Sequence, residues 1–119
     1  MKEQKILIVD DNKDFADVFC DILRASDYEA SSCYSGEQAL TLLDKDNYDV
    51  VFLDLRMPEM DGIETLKKIK EKSSEIKVII MTGYSVDEMV HKALEEKASE
   101  VIYKPFEIEK VLSLLKSSS

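Results

Sequence analysis

The sequence predicts a three-layer, doubly wound α/β fold of (βα)5 type, a five-stranded parallel sheet with helices on both faces. Three observations predict it. Short apolar runs such as Ile6–Val9, Val50–Leu53 and Val78–Met81 stop abruptly at polar residues, as strands buried on both faces do. Between the runs, apolar residues recur at helical spacing. Strand and helix then alternate five times with no repeat array or low-complexity linker, and such alternation implies parallel strands joined by helical crossovers.

The first strand, Ile6–Val9, ends in Asp10-Asp11, and Asn12 or Asp11 caps the helix that follows. Phe15, Val18, Phe19, Ile22 and Leu23 form that helix's apolar stripe, and Asp27 lies in the turn behind it. Tyr28–Cys33 alternates weakly and carries Glu29, Ser31 and Ser32, a composition suited to an edge strand. Ser35 and Gln38 have capping-box spacing, opening a helix that buries Ala39, Leu40 and Leu43. Val50–Leu53 is the central strand, closed by Asp54 and broken at Met57-Pro58, because a residue before proline is pushed out of the helical region.

Asp61 caps a third helix with Ile63, Leu66 and Ile69 inward and Lys67, Lys68, Lys70, Glu71 and Lys72 in solvent. Val78–Met81 ends in Thr82-Gly83, and Ser85 to Glu88 is another capping box. The fourth helix carries Val86, Met89, Val90, Ala93 and Leu94 as its stripe, with His91 facing solvent. Val101–Tyr103 is the last strand, ended by Lys104-Pro105, and Ile108, Val111, Leu112 and Leu115 mark the last helix. The strand order 2-1-3-4-5 of flavodoxin-like sheets is carried over from known folds of this class. The weak second strand fits it by landing on an edge.

At 119 residues the chain is expected to be one domain, 1–119, with no stretch that reads as an effector domain. A formal net charge of −9 argues against direct nucleic-acid binding and against anionic membranes. No apolar run approaches the ~20 residues that span a bilayer, and the N-terminus has no cleavable leader, so a cytoplasmic location is expected. Cys20 and Cys33 have no metal-ligand or redox spacing and read as small buried side chains.

Parallel strands bring their carboxyl ends to one side of the sheet, where ligands bind. Here those ends carry Asp10 and Asp11, Asp54, Thr82 and Lys104. Three converging carboxylates repel one another unless positive charge intervenes. Mg2+ (or Mn2+) suits hard oxygen ligands, and Lys104 offers an ammonium. With the Thr82 hydroxyl, this set answers the needs of phosphoryl transfer, in which a carboxylate nucleophile yields an acyl phosphate on Asp54. Asp10-x-Asn12-x-Asp14 imitates the start of a calcium loop, but Phe15 stands where that loop needs glycine. Asp54-Leu55-Arg56 lacks the second aspartate of haloacid-dehalogenase-type phosphatases.

IVDD at 8–11, VVFLDLRMPEMDG at 50–62, IIMTG at 79–83 and YKPF at 103–106 together resemble the receiver domain of two-component response regulators. The resemblance implies that Asp54 takes a phosphoryl group from a histidine kinase or phosphotransfer protein. It implies that Asp10, Asp11, Asp54 and the backbone carbonyl of Arg56 hold Mg2+. Thr82 would bond the phosphoryl group as a switch residue, Lys104 would pair with it, and the Lys104-Pro105 peptide would be cis. The family's switch aromatic stands where this chain has Val101. Tyr103 lies two residues on, so it faces the same side of the strand and can take part of that role. Output would pass to a protein target or a second copy through the face of the fourth helix, last strand and last helix.

The resulting expectation is a signalling phosphoacceptor, not an enzyme beyond its own phosphorylation and dephosphorylation. The alternative is a constitutive docking module with an unused acidic pocket. Arg56 and Tyr84 are expected to overhang the pocket and screen the acyl phosphate from water.

Overall fold

The computed structural model describes residues 4–55, 62–82, 93–104 and 107–117. Five parallel strands form one sheet in the order β2-β1-β3-β4-β5: β1 (Lys5–Val9), β2 (Glu29–Cys33), β3 (Val50–Asp54), β4 (Lys77–Thr82) and β5 (Glu100–Tyr103). The helices are α1 (Lys13–Ala25), α2 (Gly36–Lys45), α3 (Gly62–Lys72) and a C-terminal helix, Ile108–Ser117. The expected order holds, with the polar β2 on an edge. Residues 93–95 are also helical, and the rest of the expected fourth helix, including Val86, Met89, Val90 and His91, lies outside the described residues.

Successive strand residues point to opposite faces, which makes two apolar layers from continuous apolar runs. Ile6, Ile8, Val50, Phe52, Ile79, Met81 and Ile102 pack against Phe19 and Leu23 of α1 and Val111 and Leu115 of the C-terminal helix. Leu7, Val9, Val51, Leu53, Val78 and Ile80 pack against Ala39 of α2 and Leu66 and Ile69 of α3. Among the described residues no helix is long and apolar enough to cross a membrane.

Several sequence expectations need correction. On α1 the buried positions are Ala16, Phe19, Cys20 and Leu23, while Val18 and Ile22 are 57% and 39% exposed. The small side chains Ala16 and Cys20 let the helix lie close to the sheet, which rotates Val18 and Ile22 outward. Leu40 and Leu43 are only half-buried, and Leu94 is exposed where the stripe put it inside. Lys70 is half-buried rather than solvated: its ammonium donates to the Ile76 carbonyl at 2.6 Å, closing the turn after α3. Burial draws its pKa below the usual lysine value.

Helix starts follow the caps. Asn12 Oδ1 accepts from the Phe15 amide at 3.1 Å, and Ser35 Oγ accepts from the Gln38 amide at 3.1 Å. Gln38 Oε1 accepts from the Tyr34 amide at 2.9 Å, one residue earlier than a reciprocal box requires. The Asp61 cap and the Ser85 to Glu88 box lie outside the described residues. Asp17 of α1 accepts from Ser32 Oγ (2.9 Å) and Tyr34 Oη (2.7 Å), tying the helix to the edge strand. The Tyr34 bond, then the Ser32 bond, holds the Asp17 carboxyl below its ordinary range.

Two helix ends adopt the paired 6→1 and 5→2 pattern of a Schellman motif. Asp27 (φ 72°) follows α1, with Tyr28 N–H on Leu23 O and Asp27 N–H on Arg24 O. Lys97 (φ 76°) does the same, with Ala98 N–H on Ala93 O and Lys97 N–H on Leu94 O. A side chain there costs about 1–2 kcal/mol, offset in part by the ~0.5–1 kcal/mol of extra unfolded-state freedom glycine carries. Lys97 is exposed, and its charge lies near that of Lys70, whose pKa it helps lower, so losing it also relieves a like-charge repulsion. Lys97→Gly should therefore stabilise the fold by roughly 0.5–1 kcal/mol, read as a higher urea midpoint.

Both cysteines are free and buried, as the sequence suggested. Burial pushes the Cys33 thiol from an ordinary 9.0 up to about 12. The folded state therefore keeps this proton where the unfolded chain releases it. That contribution is complete below pH 9.0 and is lost as pH rises toward 12, with a slope of at most about 1.4 kcal/mol per pH unit. Urea unfolding at pH 8 and pH 10 should show the decline, and Cys33→Ala should flatten it.

Candidate functional site

The strand register decides which side chains meet. β1 and β3 are adjacent, with Val9 opposite Leu53, so the residues that follow, Asp10 and Asp54, leave the sheet side by side. β4 pairs with β3 so that Asp54 stands opposite Met81, and Thr82 stands opposite Tyr103 on β5. The Lys104 amide donates to the Thr82 carbonyl at 2.8 Å, which turns the lysine toward the same end of the sheet.

Asp10 is fully buried, Asp54 and Thr82 are nearly so, and Asp11 is exposed. Carboxylate oxygens of Asp10, Asp11 and Asp54 all lie within 4.8 Å of one another. Lys104 Nζ donates to Asp10 Oδ2 at 2.6 Å and to Asp54 Oδ2 at 3.3 Å. Asp10 is held from its other side: its amide donates to Cys33 O at 3.2 Å, and its Oδ1 accepts from the Asn12 amide at 3.0 Å. Burial pulls the Lys104 pKa down, but the bond to Asp10 and the charge of Asp54 outweigh it and leave the ammonium above its usual range.

Among the described residues, the predicted site residues Asp10, Asp11, Asp54 and Lys104 thus form one cluster, with Thr82 at the neighbouring strand end. Val101 is half-buried against the α2–α3 layer, and Tyr103 is 46% exposed. The Arg56 carbonyl, the Pro105 side of the expected cis peptide, and Tyr84 lie outside the described residues. Three hard oxygen donors from two adjacent strands suit a divalent cation such as Mg2+. An ammonium bridging two of the carboxylates provides a second positive charge in the same pocket.

Two residues here escaped the sequence reading. Phe15, a member of the expected apolar stripe of α1, is half-buried with its ring centroid 4.4 Å from Lys104 Nζ. Gly62, at the start of α3, is so close to the end of β3 that a Cβ would stand 2.4 Å from Leu55 Cα and 2.8 Å from Asp54 O. The signal for Gly62 was present: a glycine directly behind an aspartate that the sequence offers as a cap, where the helix alone gains nothing from it.

The family model for the response regulator receiver domain matches residues 6–116. Sporulation initiation phosphotransferase F of Bacillus subtilis is 36% identical over 98% of this chain and 94% of its own length. Transcriptional regulatory protein ZraR of Salmonella typhimurium is 35% identical over 95% of this chain, which spans 26% of that protein. The crystal structure of a CheY-like response regulator receiver domain protein from Methanospirillum hungatei superposes with a TM-score of 0.94 at 27% identity, covering 98% of this chain and 94% of the other. Motifs, sheet order and family match agree, and the chain belongs to the response regulator receiver domain family, the phosphoacceptors of two-component signalling.

Proposed function

We propose that Asp54 is the phosphoacceptor, taking its phosphoryl group from a phosphohistidine on a histidine kinase or phosphotransfer protein. The observation that carries this is the convergence of the Asp10, Asp11 and Asp54 oxygens within 4.8 Å, with Lys104 Nζ 3.3 Å from Asp54. Asp10, Asp11 and Asp54, with the Arg56 carbonyl, would hold Mg2+ or Mn2+. A divalent ion bound there supplies positive charge for the phosphoryl oxygens.

An Asp54 carboxylate oxygen attacks phosphorus, and the P–N bond breaks with its electron pair staying on the imidazole nitrogen. An acyl phosphate remains on Asp54. Lys104 shifts its donors from carboxylate to phosphoryl oxygen and so offsets the added negative charge. The Thr82 hydroxyl donates to another phosphoryl oxygen, and this inward pull biases a two-state equilibrium of the segment behind it. Tyr103, on the strand face it shares with Val101, reports the change to the surface. Water later attacks the acyl phosphate in the same pocket, so the protein catalyses only its own phosphorylation and dephosphorylation. The chain acts as one receiver unit in the cytoplasm. Its output goes to a protein target or a second copy through the face of the fourth helix, β5 and the C-terminal helix. The net charge of −9 disfavours direct contact with nucleic acid.

The test is labelling with acetyl phosphate and Mg2+. The parent protein should gain one acid-stable, base-labile phosphoryl group, and Asp54→Asn should gain none. Equal labelling of both would overturn the assignment.

A further inference from the structure

We propose that Phe15 is a positioning residue for Lys104, its ring face fixing the ammonium at the spot from which it serves Asp54. Lysine is a point charge on a flexible four-carbon stem, so something must hold it where it is needed. Two of its donors already go to Asp10 and Asp54. The negative face of an aromatic ring attracts a cation within about 6 Å of its centroid without taking a hydrogen bond from a phosphoryl oxygen. The Phe15 centroid lies 4.4 Å from Lys104 Nζ. The other ammonium–ring contacts among the described residues, Lys5 on Tyr48 and Lys13 on Tyr34, are longer, at 5.2 and 5.5 Å.

Phe15 is itself held in place. It sits in the first turn of α1, where its amide donates to the Asn12 cap at 3.1 Å. Its ring packs on Phe19 at 5.8 Å, and Phe19 meets Phe52 edge-on at 5.1 Å. Phe52 belongs to β3, two residues before Asp54. The ring under the ammonium is thus braced, through one intervening ring, on the strand that carries the acceptor. Phe15 also lines a groove of about 130 Å³ with Val18, Phe19, Ile22 and Ile108.

The inference rests on Asp54 being the acceptor, and the experiment separates the two. Initial rates of labelling by acetyl phosphate with Mg2+ are compared for the parent, Phe15→Leu and Phe15→Trp, each also in a Lys104→Ala background. Leucine keeps an apolar side chain and loses the ring; tryptophan keeps the strongest cation-binding face. Phe15→Leu should label about fivefold more slowly, and Phe15→Trp should restore the rate. In the Lys104→Ala background the two variants should label equally. The Lys104 ε-methylene protons should be shifted upfield by the ring in the parent and in Phe15→Trp, and should return toward their unshifted position in Phe15→Leu. Parent-like labelling of Phe15→Leu, no restoration by tryptophan, or the same slowing without Lys104 would overturn the role of Phe15. Undiminished labelling of Asp54→Asn would instead overturn the acceptor assignment.

Discussion

Lys104→Ala should lower folding stability by about 2 kcal/mol at pH 7 in the absence of divalent ions. The substitution leaves Asp10, fully buried, and Asp54, 7% exposed, without the ammonium that bridges them. Removing one partner of a buried ion pair typically costs about 3–5 kcal/mol, and the lysine's 23% side-chain exposure calls for a smaller figure. The Lys104 pKa is raised above 10.5. Its contribution is therefore complete below that pH and lost only as pH climbs through the raised value, so a measurement at pH 7 reads all of it. A divalent cation competes with the ammonium for the same carboxylates. Millimolar Mg2+ should accordingly stabilise the variant more than the parent, by ligand linkage. Urea unfolding of both proteins with and without Mg2+ gives the four numbers needed. A variant as stable as the parent without Mg2+ would mean that the Asp10–Asp54 pair tolerates its own repulsion.

Gly62→Ala should cost about 2 kcal/mol and slow phosphorylation of Asp54. Helix propensity alone favours alanine by at most ~1 kcal/mol. Packing opposes it: the new Cβ would meet Leu55 Cα at 2.4 Å and Asp54 O at 2.8 Å. Both neighbours are backbone, so no rotamer change relieves the clash, and overpacking of this kind costs about 1–3 kcal/mol. Either α3 or the end of β3 must move, and the Gly62 amide, bonded to Leu55 O at 3.1 Å, couples the two. The shift falls on the residue next to the acceptor. Urea midpoints and the acetyl phosphate labelling rate should drop together. An unchanged midpoint would show that α3 can withdraw freely.

Most of the fold was legible because its signals are local. Continuous apolar runs marked the buried strands, Asn12 and Ser35 marked helix starts, and the serines of β2 marked an edge. The turn at Asp27 was read, but not the left-handed backbone there or at Lys97, since glycine, which would have announced it, stands at neither position. The facing of α1 was misread for another reason. Val18 and Ile22 are as apolar as Phe19 and Leu23, and hydrophobicity alone does not say which side of a broad stripe turns inward. That depends on how closely Ala16 and Cys20 let the helix approach the sheet.

By itself the sequence determined the five strands, the parallel sheet and the polar residue at the end of every strand but the edge strand β2, because each follows from short-range periodicity and chain direction. The tertiary structure alone decided that the Lys104 ammonium bridges Asp10 and Asp54, that Phe15 lies beneath it, and that Gly62 touches the backbone behind Asp54. The Lys104 contacts join residues far apart in the chain, and the Gly62 contact depends on how the start of α3 is set against the end of β3. Strand register and the depth of helix docking fix them, and neither quantity is written in any local stretch of residues.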